Sequence, residues 1–200
     1  MPGPPIAELV VGDDPATWAR LGFAVDGDRT MVGTTTVVLD GSGEGLRAWA
    51  LRGAGTTAFD GLETTLAPQG APAAPGEHPN GATRIDHVVV NTPDLARTVA
   101  ALQAAGLDLR RVREHSDTLH QGFFRMGEVI LEVVGPPAAG GGDPARFWGL
   151  VAVVGDVDAL VAGAEPGLFG TPRAAVQEGR RIVTVAREAG VSAPLAFITP

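Results

Sequence analysis

The chain contains no cysteine, which excludes disulfides, thiolate metal ligands and cysteine nucleophiles. It is also short of positive charge: 15 Lys and Arg against 23 Asp and Glu leave a net charge of −8 and a pI near 4.9. Nucleic acid and anionic membrane surfaces both need clustered cations, so neither is expected as the main partner. No apolar run approaches the ~18 residues of a membrane-spanning helix. The opening "MPGPPIAELVVGDD" lacks the basic and long apolar regions of a secretory signal. A soluble, cytoplasmic protein is the expectation.

What is present is enough apolar residue for a sizeable core: 44% of 200 residues are hydrophobic, sufficient for one ordinary domain or two small ones. Two stretches rich in Pro and Gly, "APQGAPAAPGEHPNGAT" (67–83) and "GPPAAGGGDPAR" (135–146), read as a linker and a loop. They divide the chain into three pieces that share a pattern. Each opens with a short apolar run: "IAELVVG", "IDHVVVN" and "FWGLVAVV". In the first two, "DDPATW" and "NTPDLA" follow with a residue able to cap a helix and an early proline. In the third, Asp156 or a neighbour is the candidate cap of a shorter helix. Leu95, Val99 and Leu102 recur at helical spacing, and Gly106 supplies a stop. Alternating, β-branched runs separated by glycine turns then mark hairpin strands, such as "GFFRMG" with "VILEVVGP". The reading is α+β, a βαβββ module repeated over 5–53, 84–136 and 146–200, with a linker at 54–83.

This pattern resembles the vicinal oxygen chelate superfamily, the glyoxalase, bleomycin-resistance and extradiol-dioxygenase group. "IDHVVVNTPDL" and "FFRMGEVILEVVGP" carry the resemblance in the middle copy, and "FWGLVAVVGDVDAL" with "LAFITP" are the third-copy counterparts. It covers 84–200 well and 5–53 more loosely. It implies paired modules forming curved mixed sheets around a cavity, with 84–200 as a two-module glyoxalase-like domain. In such proteins metal ligands come from the first and last strands of each module. Carried onto this chain, the middle copy supplies His87 and Glu132, with Glu132 also the candidate catalytic group. Strand alternation agrees: His87 shares a face with Val89, and Glu132 with Ile130 and Val134.

A divalent metal needs more than two protein ligands and open positions for substrate oxygens. In the third copy, aligning Leu150 with Val88 sets Gly149 opposite His87, and Phe197 falls opposite Glu132; neither side chain ligates metal. In the first copy Glu8 falls opposite His87 and Ala48 opposite Glu132. If copies one and two share the cavity, Glu8, His87 and Glu132 form a three-ligand set. If copies two and three share it, two ligands remain and the site is degenerate. The short loop between copies two and three favours the second pairing.

Substrate contacts are expected from Arg125, Phe197 and Trp148, although Arg125 is also a candidate ion-pair partner for Glu132. A carboxylate in so apolar a run seldom lacks a partner. His115 and His120 flank a turn, His78 lies in the linker, and "GRR" at 179–181 is a turn or an anion contact. Trp18, Trp49 and Trp148 read as core or rim residues rather than a stacking platform. Two functions compete: metal-assisted lyase, isomerase or dioxygenase chemistry, and metal-free sequestration of a small molecule. A homodimer is the expected assembly.

Overall fold

The computed structural model describes residues 3–70, 74–138 and 142–200. Parts of the two Pro- and Gly-rich stretches, 71–73 and 139–141, lie outside the described residues. In chain order the elements are β1 (Ile6–Val11), α1 (Pro15–Arg20), β2 (Arg29–Val32), β3 (Thr35–Leu39), β4 (Leu46–Arg52), β5 (Glu63–Ala67) and β6 (Ala82–Asn91). Then come α2 (Leu95–Ala104), β7 (Leu109–Ser116), β8 (Leu119–Met126), β9 (Val129–Gly135) and β10 (Arg146–Val154). The chain ends with α3 (Val157–Gly163), β11 (Arg173–Ala174), β12 (Arg181–Thr184) and β13 (Leu195–Ile198). No helix among the described residues is long and apolar enough to cross a membrane.

Each helix begins on an aspartate whose side chain accepts a first-turn N–H: Asp14, Asp94 and Asp156. In "NTPDL" it is Asp94 that caps, while the Thr92 hydroxyl accepts the Asp94 N–H and meets Thr98.

The strands form two mixed sheets, ordered β2-β3-β1-β4-β5 and β11-β12-β13-β10-β6-β9-β8-β7. In modules two and three the first strand pairs in parallel with the last, β6 with β9 and β10 with β13, and in the first copy β1 pairs in parallel with β3. Modules two and three meet at the antiparallel β6–β10 seam, so the pairing favoured by loop length is the one present. This is the curved α+β arrangement expected from the repeats.

The third extended run of the first copy departs from expectation. β4 lies on the far side of β1, antiparallel to it, and β5 returns parallel to β4. The segment 54–83, expected to be a linker, therefore contains a strand. It also places Phe59 and Leu62 in the core. β4 and β5 are an abbreviated fourth module, and the five-stranded sheet is a reduced copy of the eight-stranded one. Two bulges show the correspondence. Ala7 is extra in β1 opposite the Ala50–Leu51 step, as Asp86 is extra in β6 opposite Val151–Ala152. Arg47 in β4 and Trp148 in β10 occupy matching bulges further along.

The two sheets share one core. Leu9, Trp18 and Trp49 belong to the same buried cluster as Val88, Leu150 and Phe197. Phe23 stacks on Phe197 at 5.6 Å, and Trp49 meets Phe147 edge-on at 5.2 Å. One face of the eight-stranded sheet is thus covered by the smaller sheet and the helices, and the other is left open. His78, expected in an exposed linker, is buried. Its Nδ1 accepts the Ala24 N–H at 3.1 Å and its Nε2 donates to the Met31 carbonyl at 2.8 Å. Burial lowers its pKa against the opposing effect of the Met31 bond, so the ring is held neutral in that tautomer.

Candidate functional site

The open, concave face of the eight-stranded sheet carries the candidate site. Along β6, Ile85, Val88 and Val90 belong to the core. The three-residue step from Ile85 to Val88 marks the bulge. It turns Asp86 and His87 to the same side, where strict alternation would separate them. On the neighbouring β9, Ile130, Glu132 and Val134 face the same way, and Val89 pairs with Glu132 in parallel register. Three adjoining hollows of about 390, 490 and 240 Å³ open on this face, and His87 and Glu132 line all three.

A chain of polar contacts crosses the floor. The His87 Nδ1 meets Asp86 Oδ2 at 2.8 Å, and the Arg180 Nη2 donates to Asp86 Oδ1 at 2.8 Å. Arg180 is itself held by the Thr199 carbonyl at 2.6 Å. Burial would raise the Asp86 carboxyl, but the hydrogen bonds and charges of His87 and Arg180 outweigh it. They hold the group well below the usual carboxylate range. Asp86 is therefore an ionised acceptor, which places the Nδ1 proton on its side of the imidazole and aims Nε2 at Glu132.

The His87 Nε2 to Glu132 Oε2 distance is 3.9 Å. That is too long for a direct hydrogen bond and leaves a gap that a ligand atom can bridge. Glu132 accepts from the Gln121 amide, and the Gln121 oxygen accepts from His115 Nε2–H. Burial pushes the Glu132 carboxyl upward, only partly opposed by the His87 charge and the Gln121 bond. The floor thus pairs an oriented imidazole with a carboxyl biased toward its protonated form.

The other expected residues divide. Trp148 stands in its bulge, about half exposed, on the wall of the 490 Å³ hollow. Arg125 lines the 390 Å³ hollow, but its Nε donates to the Gly127 carbonyl at 2.8 Å. Glu132 is served by Gln121 instead, so the expected Arg125–Glu132 ion pair is corrected. Phe197 does not reach the groove. It is fully buried against Phe23 and Phe169, and the parallel register shows that Ala196, paired with Val151, is the concave-face neighbour. Glu8 lies in the five-stranded sheet, ion-paired with Arg29 at 2.9 Å, and lines none of these three hollows. By register Glu8 pairs with Thr36 on β3, and the first-copy position that matches Glu132 is Val38, paired with Val10, rather than Ala48.

A resident divalent metal does not fit these residues. No group of three or more His, Cys, Asp or Glu side chains converges among the described residues. His87 and Glu132 stand alone, and the matching third-module positions are Gly149 and Ala196. Gly149 has a steric reason to be glycine: a Cβ there would lie 2.2 Å from the Pro194 carbonyl oxygen.

Sequence reasoning missed Asp86 and Gln121, and it offered Arg180 only within "GRR", as a turn or an anion contact, where the structure pairs it with Asp86. The Asp-His dipeptide in "RIDHV" was visible, but without the bulge its two side chains belong on opposite faces.

No protein-family model and no curated protein sequence matches the chain. Solved structures similar to it include methylmalonyl-CoA epimerase from Mycobacterium tuberculosis. The identity is 14% over 60% of this chain and 89% of that one, with a TM-score of 0.46. A methylmalonyl-CoA epimerase in complex with methylmalonyl-CoA and NH4+ is 20% identical over 59% of this chain and 94% of that one, TM-score 0.45. A hypothetical protein from Bacillus halodurans is 11% identical over 58% and 94%, TM-score 0.47. Likeness at this level concerns the fold and carries no activity across.

Proposed function

We propose that the protein binds a small molecule in the concave groove and that His87 and Glu132 exchange protons with it, an isomerase-type step needing no resident metal. The observation that supports this is the opposed pair itself. Two titratable side chains face each other across 3.9 Å, each held by a second polar residue, where three hollows meet. His87 is the base: its Nε2 takes a proton, and the Asp86 carboxylate stabilises the resulting imidazolium. Glu132 is the acid, since burial favours its protonated form. The roles follow from the Asp86 carboxylate behind the imidazole and the burial of the Glu132 carboxyl.

The test is a thermal-shift screen of small carbonyl and carboxylate compounds, followed by NMR detection of deuterium uptake from solvent into each hit. Exchange that disappears in His87→Ala and Glu132→Gln is the expected result. Exchange unchanged in both variants refutes the assignment. Trp148, Val151, Ile182 and Ala196 form an apolar wall around the 490 Å³ hollow. This wall favours a second reading, sequestration without turnover, which predicts hits that bind without exchange.

A further inference from the structure

We propose that the ligand of this groove is an oxyanion on a small apolar body, a carboxylate or phosphate monoester, seated by Arg111, Arg113 and Arg173. The inference rests on the groove being the ligand site and specifies what it admits. Every one of the chain's 15 cations is an arginine. Many are paired within the fold, as Arg20 is with Glu165, Arg47 with Asp40 and Arg181 with Asp158. Among the described residues, Arg111, Arg113 and Arg173 have no carboxylate within ion-pair distance.

Their placement is the second observation. Arg111 and Arg113 lie on β7 and Arg173 on β11, the two outer strands of the eight-stranded sheet. They line one 240 Å³ hollow because the sheet curls its edges toward each other. His87 and Glu132 lie in the same hollow. The carboxylates near them are engaged: Asp86 by Arg180 and His87, Glu132 by Gln121. Three guanidinium groups therefore share a concavity whose lining holds one carboxyl, that of Glu132, which Arg113 acts on electrostatically, so positive charge is in excess there although the net charge of the protein is −8.

Like charges gathered in this way repel, and a bound anion relieves the repulsion. Guanidinium groups match carboxylate and phosphate oxygens with two parallel hydrogen bonds. Arg111 lies over the Phe123 ring, 4.8 Å from its centre, which braces its planar head in the hollow. Phe123, Ile182 and Ile198 line the same space, so the body of the ligand meets apolar surface while its anionic end meets the guanidinium groups.

The test uses benzoate and phenyl phosphate as anionic probes and benzamide as the neutral counterpart, with binding followed by ligand-observed NMR on the full chain. Both anions are expected to bind at least roughly tenfold more tightly than benzamide, because a charge-assisted hydrogen bond contributes at least that much. Whichever anion binds more tightly distinguishes carboxylate from phosphate. Arg113→Gln and Arg173→Gln, both at exposed positions, should each weaken anion binding roughly tenfold and leave benzamide unchanged. Arg113→Lys should recover only part of the loss, and Arg29→Gln, on the other sheet, should lose nothing. Salt at about 0.5 M should weaken anion binding alone. Benzamide binding as tightly as benzoate, with the arginine variants indifferent, overturns the anion inference and leaves the groove reading standing. Failure of all three probes to bind overturns both.

Discussion

Replacing Gly149 by alanine tests the steric account of why the third module has no counterpart to His87. The added Cβ would sit 2.2 Å from the Pro194 carbonyl oxygen and 3.0 Å from the Pro194 Cβ. That carbonyl accepts the Leu150 N–H at 3.0 Å, immediately beside the β10–β13 pairing. The chain before β13 must move away, lengthening or breaking this bond in a closely packed layer. Overpacking of this kind costs about 1–3 kcal/mol, and the hydrogen bond about 1 kcal/mol more. The expected destabilisation is therefore about 2–4 kcal/mol, a fall in Tm of roughly 4–16 °C for a chain of this length. Urea unfolding with the slope m unchanged would measure it, with Gly155→Ala as reference, since a Cβ at Gly155 meets nothing within 4 Å. A loss under about 0.5 kcal/mol, the scale of an ordinary surface substitution, would refute the reasoning. Position 149 would then be free to carry a ligand, and its glycine would need another explanation.

Three further predictions concern ionisation. Asp86→Asn leaves the buried Arg180 head without its carboxylate and should cost about 2–4 kcal/mol at pH 7. Because the folded pKa of Asp86 lies below the ordinary 3.8, its contribution is complete above that pH and fades as acid protonates it. Urea midpoints of the wild type should thus fall more steeply than those of the variant below about pH 4. Glu132 behaves oppositely. Its folded pKa is raised above 4.5, so its contribution is present below that value and lost as pH rises through the folded pKa. Glu132→Gln should raise the urea midpoint at pH 7 and leave it unchanged near pH 4; a lower midpoint at pH 7 would contradict the assignment. The lowered pKa of His78 means the unfolded chain takes up a proton that the folded chain refuses below the ordinary 6.5. Stability is full above that pH and declines beneath it. His78→Gln should flatten the decline between about pH 7 and 5 in calorimetry.

Much of the fold was legible in the residues. The apolar runs, aspartate caps and glycine turns recur with a period that needs only local preferences to read, and those preferences survived packing in modules two and three. The fourth module was not legible. β5, "ETTLA", is short and largely exposed, with no apolar alternation to announce it; it is a strand because β4 offers a free edge beside it. His78 likewise read as a linker histidine, because its two backbone partners, at Ala24 and Met31, lie far away in sequence.

The candidate site divides on the same line. That His87 and Glu132 point into one cavity was implied by the resemblance, and the two-residue period of each strand agreed with it; the residue types at the aligned third-module positions were likewise readable as non-ligands. What they face depended on tertiary structure. A single bulge in β6 brought Asp86 beside His87, shifted register put Ala196 where Phe197 was expected, and sheet curvature gathered arginines from two outer strands. Periodicity assigns side chains to faces only while pairing stays regular. Bulges, register and curvature arise from contacts between strands distant in the chain, and those contacts decided which side chains meet.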